Sequence, residues 1–137
     1  MIKKIISERI AGLALTGILS LTILFHLAVV VGFVPIDMIW GGRLKTQEEL
    51  YVFESISLVL NTLMLWIVII RIGYTKARMN LKIVRVVLWL MVILFSLNTI
   101  GNLMAFNNLE AYIFTPITFI LALFCFRLAI KDSAKFN

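Results

Sequence analysis

Four apolar runs dominate the chain, from about Ile10 to Pro35, Leu50 to Ile72, Ile83 to Phe106 and Leu109 to Ile130. Each is long enough for a helix to cross a hydrocarbon core, which takes about 20 residues. Inside the runs the apolar positions are continuous, as in Leu63-Met64-Leu65-Trp66-Ile67-Val68-Ile69-Ile70, with none of the period-two alternation of a membrane β-strand. Backbone groups in lipid must be satisfied within their own segment, and helices do that. The pattern therefore predicts an all-α polytopic membrane protein. It reads as one domain over 1–137, a four-transmembrane-helix antiparallel bundle with helices at about 10–35, 47–72, 81–106 and 109–130.

Polar residues punctuate these runs. Pro35 and the pair Gly41-Gly42 mark a loop and a tight turn with positive φ. Thr46 followed by Glu49 has capping-box spacing and starts the second helix at about Gln47. Asn80 is an N-cap for the third helix. Asn107-Asn108 reads as a very short hairpin into the fourth, with Asn108 as N-cap and Glu110 in the first turn. Glu49 and Glu110 read as cap and helix-dipole residues.

Composition supports the same class. The chain is 62% hydrophobic and 15% charged, with mean hydropathy +1.06, against about 45–50% apolar and about 25% charged in soluble domains. A soluble enzyme, a disordered segment and a disulfide scaffold are excluded. The N-terminal run is too long for a signal-peptide core and no small-x-small cleavage site closes it, so it reads as a retained helix.

Charge sets the expected orientation. Lys3, Lys4, Arg9, Arg71, Lys76, Arg78, Lys82, Arg85, Arg127, Lys131 and Lys135 fall on one side with Glu8 and Asp132, a net of +9. Arg43 and Lys45 fall on the other with Asp37, Glu48, Glu49, Glu54 and Glu110, a net of −3; the two sides account for the +6 of the chain. The positive-inside rule makes this N-in/C-in, with both termini cytoplasmic. Trp40, Tyr51 and Tyr112 form the outer aromatic belt and Tyr74 marks the inner one. Because the basic residues flank apolar spans, they meet membrane lipids and topology signals, and no nucleic acid partner is expected. Arg127 is expected to snorkel to the inner headgroups.

Polar residues inside spans are costly and mark interiors or cavities. Glu54, Ser57 and Asn61 share one face of the second helix, Asn98 and Asn102 are i, i+4 on the third, and Thr115, Pro116 and Thr118 lie early in the fourth. Thr22 and His26 share a face of the first helix, and Asp37, Trp40 and Arg43 in the loop are placed to cover the group. The inner halves are nearly pure hydrocarbon, which argues against a monomeric channel. The candidate ligand-binding set is Glu54, Asn61, Asn98, Asn102, His26, Thr115, Asp37, Trp40 and Arg43. Two readings stand side by side. One is a pocket for a lipid-like or amphiphilic molecule with Glu54 as charge anchor. The other is a structural hydrogen-bond network, with Glu54 reaching water or pairing with Arg43.

Catalytic and metal readings have less behind them. His26 and Glu54 could form an acid–base pair but sit in no recognised motif, and an enzyme is the less favoured reading. One His and one Cys build no familiar metal site, no cofactor is implied, and Cys125 reads as a packed apolar residue. Gly12, Thr16 and Ser20 form a small-residue stripe that serves either packing within the bundle or a homodimer face. The rival functions are an accessory or assembly subunit whose polar cluster is structural, and a dimeric proton-coupled small-molecule exporter.

The stretch Gly32-Phe33-Val34-Pro35-Ile36-Asp37-Met38-Ile39-Trp40-Gly41-Gly42-Arg43-Leu44, followed by Tyr51-Val52-Phe53-Glu54-Ser55-Ile56-Ser57, resembles small bacterial four-helix integral membrane proteins that have no established activity. Asn98-Thr99-Ile100-Gly101-Asn102 and Phe114-Thr115-Pro116 look like later parts of that pattern, which would cover most of the chain. The resemblance implies a bacterial cytoplasmic-membrane protein. Asp37, Glu54 and the Thr115-Pro116 pair are also similar to landmarks of the EXPERA group of sterol isomerases and sigma-2-type receptors, although their spacing differs and the longer first loop of that group is missing. In that family, acidic side chains in a membrane cavity bind an amine or stabilise a carbocation.

Overall fold

A computed structural model describes residues 2–105, 108 and 110–130. A one-turn helix α1 (Ile2–Ile5) precedes α2 (Glu8–Val30); α3 (Gln47–Arg71), α4 (Leu81–Leu103) and α5 (Thr115–Ala129) follow, and a π-helical turn Glu110–Phe114 leads directly into α5. Among the described residues, four helices are long and apolar enough to cross a membrane: α2, α3, α4 and the segment Ala111–Ala129. There is no strand among the described residues. The chain is a helical, multi-pass type of membrane protein, and its outward faces carry the side chains lipid would cover, such as Leu21, Leu63, Leu90 and Phe119.

The helix boundaries follow from local chemistry. The first span starts two residues before the predicted Ile10, because the Ser7 side chain accepts the Ile10 N–H at 3.1 Å and caps it. It also stops at Val30, short of the predicted Pro35. Gly32 at φ 88 donates to Val29 and Phe33 donates to Ala28, a Schellman ending that only a residue tolerant of positive φ makes cheaply. Gly73 at φ 77 ends α3 in the same way, with Tyr74 donating to Ile69. The Thr46–Glu49 capping box and the Asn80 cap form as predicted. Phe106, Asn107 and Leu109 lie outside the described residues, and with them the predicted Asn107-Asn108 hairpin; Lys131, Asp132 and Lys135 lie outside as well.

Packing is uneven along the bundle. The larger core joins Ala11, Leu15 and Leu19 of α2, Met64, Ile67 and Val68 of α3, Val84, Leu88, Met91 and Phe95 of α4, and Leu121, Cys125 and Leu128 of α5. A second, separate core lies at the other end, where Ile39 and Leu44 of the loop pack with Val29 and Leu50. This smaller core fastens the loop to α2 and α3 alone. Gly12 is buried, and a Cβ there would collide with Ile72 Cγ2, so this part of the Gly12–Thr16–Ser20 stripe packs on α3 of its own chain.

Candidate functional site

Glu54 is the centre of the most specific polar arrangement. It lies two turns into α3, only 1% exposed, and both carboxylate oxygens have partners. His26 Nδ1 approaches Oε2 at 2.6 Å, and the Trp40 indole N–H donates to Oε1 at 2.8 Å. The first bond holds one proton between Nδ1 and Oε2, carried by the ring wherever the carboxyl is ionised. Short bonds to an ionised acceptor are the strong kind. They tie together the last turns of α2, the loop and the first turns of α3.

The loop bends sharply to deliver Trp40. Trp40 has φ 53, followed by Gly41 at φ 67 and Gly42 at φ 68. The glycines adopt this region freely, as the Gly-Gly pair predicts, but a tryptophan there is strained by about 1 kcal/mol or more. Its indole is held by the bond to Glu54 and by edge contact with Phe53, ring centroids 5.1 Å apart. Asp37 and Arg43, predicted to help cover the cluster, are exposed. Arg43 therefore does not serve as the partner of Glu54; the nearer groups on α2 and in the loop take both oxygens.

The rest of the predicted polar set divides. Asn61 is half-buried and donates to the Ser57 carbonyl of its own helix at 2.8 Å. Across the bundle, Asn102 Nδ2 donates to Thr118 Oγ1 at 3.3 Å, with Thr99 Oγ1 3.0 Å from the same oxygen. These bonds join α4 to α5 and have no member in common with the Glu54 group. Asn98 is exposed, although four residues from Asn102. The 40° between such positions is enough to carry it over the edge of the packed face. Thr115 Oγ1 is buried and has no hydrogen-bond partner. A threonine in a regular helix bonds the carbonyl four residues back, as Thr118 does with Phe114 at 2.9 Å. At Thr115 the preceding π turn changes that register.

A second charged group, at the opposite end, is absent from the predicted set. Arg71 Nη2 donates to Glu8 Oε1 at 2.6 Å and its Nε donates to the Leu128 carbonyl at 3.2 Å. Arg127 Nε donates to the Ile6 carbonyl at 2.6 Å, and its Nη1 is 3.8 Å from Glu8 Oε1. Arg127 is 3% exposed, so it does not snorkel outward as predicted; it turns inward and holds the start of α2 against the end of α5. The signal available in the sequence was Glu8, one acid placed among many bases at that end. Among the described residues, no group of three His, Cys, Asp or Glu side chains could hold a metal ion.

Compared with known protein families, curated proteins and solved structures, the chain matches none of them. The functional reading therefore rests on the residues and their geometry.

Proposed function

We propose that the chain is a small accessory or assembly subunit of the bacterial cytoplasmic membrane, whose Glu54 cluster is structural. The bundle is antiparallel with both termini cytoplasmic, as the excess of Lys and Arg on one side requires. The observation that carries the reading is the double engagement of Glu54. A charge anchor for an amphiphile needs an accessible carboxylate, and here both oxygens are bonded within the chain at 1% exposure. A ligand cation would have to part the loop from the helices to reach the remaining lone pairs. The cluster instead closes the loop onto the bundle, and what the protein offers its surroundings is its intramembrane surface.

The test is native mass spectrometry from lipid nanodiscs, on the wild-type chain and on Glu54→Gln. The expected result is a stoichiometric protein assembly in the wild type, with no small molecule whose retention depends on Glu54. A bound amphiphile lost in a Glu54→Gln chain of unchanged stability would overturn the reading.

Thr115 supports a second reading, a lipid-like ligand held between α4 and α5. Its buried hydroxyl has no partner, one turn from the Thr118 and Asn102 bonds. A ligand hydroxyl or ester carbonyl could complete it. A mass adduct that Thr115→Val removes would favour this reading over the first.

A further inference from the structure

We propose that the α4 surface around Asn98 binds a second copy of this chain, with the two Asn98 amides paired across a two-fold axis. Asn98 is exposed and makes no hydrogen bond within the described chain. It is five residues from the end of α4, about 7.5 Å along the axis. Apolar surface continues beyond it: Leu103 is 64% and Met104 70% exposed. The amide is therefore set in hydrocarbon, and its side chain is too short to reach the headgroups. An amide that lacks partners in such surroundings costs several kcal/mol.

The chemistry of the side chain selects the partner. An amide carries one carbonyl and one NH2, so two copies on a two-fold axis satisfy each other through reciprocal N–H···O bonds. The surface beside it permits the approach. Gly101, three residues on and so a neighbour on the helix surface, is exposed, with nothing within 4 Å of where a Cβ would be. Two α4 backbones can meet closely there, as small residues allow in membranes. This face differs from the small-residue stripe of α2, where Ile72 covers Gly12. The inference stands on Asn98 and is independent of the role given to Glu54.

The experiment is Förster transfer between labelled copies in liposomes over a range of protein-to-lipid ratios, for wild type, Asn98→Leu and Asn98→Gln. Leucine suits a lipid-facing site and removes no bond within the chain, so the variant is expected to keep its helix content and stability. Self-association is expected in the wild type, weakened about tenfold in Asn98→Leu, in line with interhelical amide bonds in model helices, and largely restored in Asn98→Gln. A wild type that stays monomeric at every ratio overturns the proposal, whatever other protein purifies with it. So does an Asn98→Leu chain that associates as the wild type does.

Discussion

The two ends of the bundle use one carboxylate each, in opposite ways. At the end where α2 begins, Glu8 faces two guanidiniums, and these reach main-chain carbonyls at Ile6 and Leu128. At the loop end, Glu54 faces an imidazole and an indole, one at each carboxylate oxygen. The first is a tie between helix ends that lie beside the larger core. The second fastens a strained loop over a small core of four buried residues. Firm packing surrounds one end; at the other, the polar bonds carry a larger share of the closure. Breaking the first should loosen the whole bundle, and breaking the second should open mainly the loop.

Four single substitutions, one of them paired with a compensating change, test that contrast, beginning with the largest effect. Glu8→Gln leaves Arg71 and the buried Arg127 facing each other without their shared carboxylate. A loss of about 2–3 kcal/mol is expected, as for a part-buried hydrogen bond between charged groups, measured by unfolding in mixed micelles; a loss under about 0.5 kcal/mol would remove the tie from the account. Next, Gly12→Ala drives a Cβ into Ile72, and an overpacked contact of this kind costs about 2 kcal/mol. Adding Ile72→Ala, which removes the obstructing methyl, should make the Gly12→Ala change cheap, and a double-mutant cycle would show it. Trp40→Phe keeps the ring and removes the indole donor, costing about 1.5 kcal/mol. Protease nicking within residues 35–45 should rise while the α2–α3–α5 end stays protected. Thr115→Val has the smallest effect: replacing an orphaned hydroxyl by a methyl should raise stability by up to about 1 kcal/mol, and a clear loss would mean the hydroxyl has a partner.

Much of the fold was legible because hydrocarbon leaves few options for a backbone. Four runs of about 20 apolar residues with Thr46, Glu49 and Asn80 at their margins predict the spans and caps that form. Glu54 stood out because a carboxylate inside a span is rare, and Trp40 because it lies in the loop placed to cover that group, with Asp37 and Arg43. The pairing with His26 was open as one possibility, but spacing along two separate helices does not say which of His26, Trp40 or Arg43 arrives first. Asn98 and Asn102 illustrate a similar limit. Their i, i+4 spacing places them on neighbouring positions, and only the location of α5 decides that one is packed and the other bare. Arg127 was misread because an arginine near a helix end is equally suited to headgroups and to a carbonyl of a distant segment; Ile6 is 121 residues away in the chain. The early end of the first helix was present in the sequence as Gly32, overshadowed by Pro35.

The central claim, that Glu54 holds the loop closed through His26 and Trp40, is tested most directly by hydrogen–deuterium exchange in nanodiscs on wild type and Glu54→Gln. The account predicts that exchange across residues 31–45 rises about tenfold or more, the rate equivalent of about 1.4 kcal/mol, while α4 and the Glu8–Arg71–Arg127 end keep their protection. Unchanged exchange in the loop would contradict it.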